Sequence, residues 1–174
     1  MNKKLYTRIY RENPLDRRNP IYVGDYYEKQ GGLPANVFRW IGISITAAVI
    51  ILLMLLGNVE SAPGETVYTV LAYAACYLPA ILGLFACLQA PTDDRKIQED
   101  VWHNSLRRIR IHAICGVVLC GVTLLCGVAA CMIAAVLGTA ECVFLVSCLL
   151  NMMLFALLLI LRNRQQYILK IGKK

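Results

Sequence analysis

The amino-acid sequence predicts an all-α integral membrane protein: a bundle of four transmembrane helices with N and C termini in the cytoplasm and a cytoplasmic helical extension of helix 3. Two observations carry this expectation. Four stretches without a charged residue, 40–57, 67–90, 113–138 and 142–161, supply close to or more than the roughly 20 apolar residues that a bilayer core of about 30 Å requires. Every lysine and arginine lies outside them and on alternate connections, before residue 40, within 91–112 and after 161, whereas the linkers 58–66 and 139–141 carry only Glu60, Glu65 and Glu141. Positive charge marks the cytoplasmic side of short loops, and an even number of crossings returns both termini to it. The composition agrees, since 58% of the 174 residues are hydrophobic and 17% charged, against about a quarter charged in a soluble domain. The net charge of +7 therefore belongs to the basic inner face of a membrane protein. A nucleic-acid partner is not expected, because no recognised binding motif accompanies that charge.

The chain divides into a basic, tyrosine-rich cytoplasmic segment (1–39), the membrane domain (40–161) and a basic tail (162–174). In the first segment Leu5, Tyr6, Ile9 and Tyr10 recur at helical intervals among Lys3, Lys4, Arg8 and Arg11, a pattern suited to a membrane surface or a partner, and Asn13-Pro14 ends it. Tyr22, Tyr26 and Tyr27, followed by Gly31, Gly32 and Pro34, predict a strap over the bundle mouth or a partner-binding segment. The first forty residues lack the apolar core and cleavage site of a signal peptide, so insertion is expected to begin with the first span. Residues 50–56 of that span and 157–161 of the fourth suit lipid.

The second and third spans carry small residues in a seven-residue register. Ala72, Pro79 and Ala86 interleave with Cys76 and Gly83; Ala113, Cys120, Gly127 and Ala134 interleave with Gly116, Thr123 and Ala130. Spacings of three and four place each set on one helix face. Between membrane helices close backbone approach over small residues replaces the hydrophobic effect as the cause of association, so the two spans are expected to pack through these faces. Pro79 removes the backbone bond to the Ala75 carbonyl, which predicts a kink.

Between these spans Thr92 suits a helix N-cap, with Asp93 and Asp94 in the first turn. Ile97, Val101, Leu106 and Ile109 then continue at helical spacing into Ala113, which predicts one helix from Asp93 to Gly138, about 69 Å long. Arg107, Arg108 and Arg110 fall at headgroup depth and are candidates for anionic lipid or partner contact. Asp93, Asp94, Glu99, Asp100 and His103 offer metal-ligand chemistry, but Arg95 and Lys96 interrupt it; no metal or cofactor is expected. The tail mixes Tyr167, Ile168, Leu169 and Ile171 with cations and is expected to be a helix end anchored at the interface.

No ionisable residue lies at depth, where ion-coupled transporters keep theirs; Arg39, His112, Glu141 and Arg162 sit at span edges. The polar groups inside are Asn151 with Ser147 one turn away, and Tyr73 and Tyr77 one turn apart. All eight cysteines fall inside the spans without a Cys-x-x-Cys pair and are read as small apolar residues. Cys142 at the outer boundary could pair with another chain, and Cys87 and Cys115 near the inner boundary could carry an acyl group.

These features predict a non-enzymatic subunit that assists or assembles a larger membrane complex, in a bacterial inner membrane, with a membrane-protein partner or a second copy of itself. The alternative is a small transporter or channel component whose path runs past Asn151, Ser147, Tyr73 and Tyr77 beside Pro79. An enzyme acting on lipid phosphate through Arg107–Arg110 ranks third, because no general acid and base accompany the arginines.

Overall fold

A computed structural model describes residues 10–11, 21–22, 26–92, 97–98, 101, 105–135 and 138–170. Four long helices dominate it: α1 (Ala35–Leu56), α2 (Val67–Leu88), α3 (Arg107–Ala134) and α4 (Thr139–Asn163). All four are long and apolar enough to cross a membrane. At 1.5 Å per residue they run from about 33 Å for α1 and α2 to about 42 Å for α3, so the shortest already matches a hydrocarbon core of about 30 Å.

The helix ends depart from the charge boundaries because backbone stop signals, not charges, set them. Pro34 precedes α1, and its carbonyl accepts the Phe38 amide (2.9 Å), so the helix takes in Arg39 in its second turn. Gly57 closes α1. A one-turn helix, Ala62–Glu65, with Pro63 near its start, fills the linker to α2. α2 continues unbroken through Pro79. α3 ends at Ala134, capped by Ala135, a non-glycine residue in the left-handed region (φ 52°), and four residues separate it from α4.

Each helix packs on its sequence neighbour, and α4 closes the ring against α1. The small face of α3 is buried along Ala113, Gly116, Cys120, Thr123, Gly127 and Ala130; that of α2 is buried along Cys76, Pro79, Gly83 and Ala86. Two members fall off these faces: Ala72 is half-buried and Ala134 is exposed at the last turn of α3. The glycines of α3 also serve a different seam from the one expected. A Cβ on Gly116 would lie 2.5 Å from the Phe155 ring, and one on Gly127 would lie 3.0 Å from Phe144, both on α4. A glycine permits approach by any neighbour, and the bulky partners here are the phenylalanines of α4. The α2–α3 seam includes Cys76, whose sulfur lies 3.4 Å from Thr123 Oγ1 and 3.9 Å from Cys120 Sγ, and Gly83, where a Cβ would lie 3.7 Å from the His112 Cβ.

Beyond the helices, strand β3 (Tyr26–Gly31) lies between β4 (Ile97–Gln98) and β5 (Gln166–Lys170), antiparallel to both. The two-residue strands β1 (Tyr10–Arg11) and β2 (Ile21–Tyr22) form a separate pair. Three expectations are corrected. Tyr10 and Arg11 pair as a strand instead of continuing a helix. The tail forms β5, paired from Tyr26↔Lys170 to Gly31↔Gln166 with an irregularity after Lys29, instead of a helix end; its run of aromatic and β-branched residues favours an extended ladder once a partner strand is available. The helix expected from Asp93 does not reach back through Ile97, which pairs with Tyr27. Ile97 is buried with Phe38, Leu106, Ile109 and Leu158, so the loop folds its apolar side chain onto the bundle instead of exposing it on a projecting helix. The extension of helix 3 survives only from Arg107, preceded by a wider, π-type turn at Ser105 and Leu106. Asp93, Asp94, Glu99, Asp100 and His103 lie outside the described residues.

The β3–β5 pairing brings the segment entering α1 and the segment leaving α4 to one end of the bundle, with the N-terminus of α3. Gly32 makes the turn from β3 into α1 at φ +106°, where a Cβ would lie 2.7 Å from the Gln165 carboxamide. With its nitrogen toward the Leu33 carbonyl, that carboxamide bridges the Leu33 backbone at 3.2 and 3.0 Å.

Candidate functional site

The polar residues singled out from the sequence are distributed over three places. At mid-bundle, Asn151 is fully buried. Its Nδ2 donates to the Ser147 carbonyl (3.1 Å), whereas Oδ1 has no hydrogen-bond partner. On α2, Tyr77 and Tyr73 form an edge-to-face pair, ring centroids 5.6 Å apart, with their hydroxyls at 2.9 Å. Tyr73 donates onward to the Leu53 carbonyl of α1. That bond occupies the one phenolic proton of Tyr73, so Tyr77 is the donor of the shared bond. Among the described residues Asn151 forms no hydrogen bond with either tyrosine.

At the basic end Arg107, Arg108 and Arg110 are exposed on the first turn of α3. Arg162, read as an edge residue, is instead buried, and its Nε donates to the Leu106 carbonyl at 2.8 Å. This clasps the end of α4 to the start of α3. Cys87 is buried, in contact distance of the Gly42 backbone position, while Cys115 and Cys142 are exposed.

The opposite end holds a cleft of about 530 Å³ over the one-turn helix, between the α1–α2 linker and the upper part of α2. Leu56, Val59, Tyr73 and Phe144 supply apolar surface, Glu60 and Glu65 supply carboxylates, and among the described residues no lysine or arginine lines it. Both carboxylate residues are exposed. Ser61 also lines the cleft; it is 5% exposed, and its hydroxyl is buried without a hydrogen-bond partner among the described residues. Thr69, fully buried, is bonded to Thr66 Oγ1 at 2.7 Å.

Glu141 fastens this end. It lies one residue outside the charge-free segment of α4 and is 7% exposed. One carboxylate oxygen accepts the Gly138 amide (2.9 Å), the half of a capping box that a glycine N-cap allows, and the other accepts the Ala62 amide (3.3 Å). Its own backbone amide, then that of Ala62 and, more weakly, that of Gly138 hold the carboxyl below the usual carboxylate range, against the opposing effect of burial.

The cleft was not apparent in the sequence because its walls come from α1, the linker, α2 and α4. The available signal was the charge of the two short linkers, where all three ionisable groups are acidic. No protein-family model, curated protein or solved structure matches the chain.

Proposed function

We propose that the protein is a non-enzymatic integral membrane subunit that assists or assembles a larger membrane complex, with both termini in the cytoplasm of a bacterial cell and the acidic cleft on the other side. The reading is supported chiefly by the contrast between the bundle's inside and outside. Inside, small residues and the Phe155 ring over Gly116 fill the space between helices, and the buried polar groups mostly bond within their own or the adjacent helix. Outside, every long helix exposes large apolar side chains, among them Ile51, Leu71, Leu125 and Val146, which offer surface to lipid and to a partner helix alike. The sidedness rests on the distribution of lysine and arginine. Arg107, Arg108 and Arg110 would then meet anionic headgroups at the cytoplasmic surface.

Purification from the native cell in mild detergent, followed by identification of co-purifying chains, tests this function. A membrane protein recovered in constant stoichiometry is the expected result. A lone homo-oligomer that conducts solute in liposomes, with conduction abolished by Asn151→Leu at unchanged stability, would replace it with the transport reading.

A further inference from the structure

We propose that the cleft at the acidic end binds an ammonium group carried on an apolar body. Three independent features converge on this chemistry. Its volume of about 530 Å³ falls within the roughly 300–1,000 Å³ of small-molecule sites. Its charge has one sign, because Glu60 and Glu65 line it and no lysine or arginine among the described residues does. None occurs anywhere in residues 40–92 or 113–161. A concave site of one charge beside a low-dielectric body concentrates the opposite ion. The third feature is Ser61, which lines the cleft and whose buried hydroxyl has no hydrogen-bond partner among the described residues. A buried hydroxyl is ordinarily satisfied, and an N–H donor in the cleft would supply what it lacks.

The remaining lining selects among cations. A hydrated metal ion would gain nothing from Leu56, Val59, Tyr73 and Phe144, whereas an organic ammonium ion places its carbon skeleton there and its charge toward the two carboxylates. Aromatic rings also attract ammonium groups through their faces. Such a group comes either from a soluble amine or from an ammonium-bearing lipid headgroup at the membrane surface. Both present the same chemistry to Glu60, Glu65 and Ser61. The inference does not depend on the subunit reading, since it concerns a cleft present in the single chain.

The test is calorimetric titration of the full-length protein in dodecyl maltoside with phenethylammonium, and in parallel with 3-phenylpropionate, which has a similar body and the opposite charge. Saturable binding of the amine at one site per chain, at least tenfold tighter than any binding of the acid, is expected. Glu60→Gln with Glu65→Gln should weaken amine binding at least tenfold, and both positions are exposed enough to be replaced without unfolding. Ser61→Ala should weaken it several-fold. Displacement of the amine by dihexanoyl phosphatidylethanolamine but not by the phosphatidylglycerol analogue would assign the site to a lipid headgroup; displacement by neither would assign it to a soluble amine. Equal binding of amine and acid, amine binding unchanged in the double glutamine variant, or tight binding of calcium without amine binding would each overturn the proposal. The amine and acid comparison needs no variant and stands even if Ser61→Ala fails to fold.

Discussion

Replacing Gly116 with alanine probes the α3–α4 seam at its tightest point. The new Cβ would lie 2.5–2.6 Å from three carbons of the Phe155 ring, whereas carbon atoms pack best about 3.5–4.0 Å apart, so about 1 Å of movement is required. Phe155 is 1% exposed and packs among Val49, Leu53, Cys76, Ala80 and Cys120, which leaves its ring no free side to move toward. α3 is held on its other flank by α2. Overpacking of this kind costs about 1–3 kcal/mol, while alanine gains about 1 kcal/mol over glycine in a helix; the expected net loss therefore runs up to about 2 kcal/mol. Phe155→Leu removes the obstructing ring, so the double variant should be more stable than the sum of the two single losses, with a coupling of about 1 kcal/mol or more. Reversible unfolding by dodecyl sulfate in maltoside micelles, followed by helical circular dichroism, measures all four corners of the cycle. A Gly116→Ala variant at least as stable as the parent, with no coupling to Phe155→Leu, would refute the seam as described.

Other contacts make their own demands. Tyr73→Phe should lose about 1 kcal/mol in the same unfolding assay, the usual scale of an interhelical bond in a membrane protein. Gly57→Ala should lose a similar amount, because its Cβ would meet the Tyr73 hydroxyl at 2.8 Å; it should be harmless in the Tyr73→Phe background, and a full loss there would show that the hydroxyl is not the obstacle. In a variant whose only cysteines are Cys76 and Cys120, copper(II) phenanthroline should accept two electrons as both thiol protons are lost to solvent, closing an intramolecular disulfide between sulfurs that stand 3.9 Å apart; thiols still fully titratable after oxidation would contradict the α2–α3 seam. Glu141 has its carboxyl held down by backbone amides, so its stabilisation is complete above the ordinary carboxylate value of about 4.3 and disappears as pH falls through the lowered one. Thermal unfolding of the parent should thus lose stability on acidification by more than that of Glu141→Gln, and parallel acid profiles would contradict the role given to the carboxylate.

How much of this was readable beforehand depends on the range of the interaction. The four long apolar helices follow from uninterrupted apolar runs, a local property that needs no partner. The faces of α2 and α3 were also legible, because small residues at a fixed period declare a side of a helix whatever lies opposite. What lies opposite was not legible: nothing in the sequence near Gly116 or Gly127 indicates that the phenylalanines of α4, and not the cysteines of α2, press on them. The strands failed for the same reason. Ile97 and Gln98 sit in a stretch with helical periodicity, and only the arrival of Tyr26 and Tyr27 from some seventy residues earlier makes an extended ladder the better arrangement. The cleft draws on four segments and was invisible, although the acidic sign of its linkers was on view.

The two buried charged side chains explain how such a bundle acquires a definite arrangement. Seams of small residues between membrane helices are weakly directional, since van der Waals contact alone tolerates sliding and rotation. Arg162 and Glu141 are placed where sliding would be most costly. One ties α4 to the Leu106 carbonyl at the basic end, 56 residues away in sequence, and the other ties the start of α4 to the Ala62 amide at the acidic end, 79 residues away. A hydrogen bond to a charged group costs more to lose than a single apolar contact, so a shift of α4 along α3 would break the Arg162 clasp at one end or the Glu141–Ala62 bond at the other. On this reasoning α4 is the helix whose position is fixed most sharply. Its two phenylalanines, Phe144 and Phe155, can therefore press into the glycine gaps of α3 without the compensating drift that a free helix would make, and the packing at mid-bundle inherits its precision from the charges at the ends.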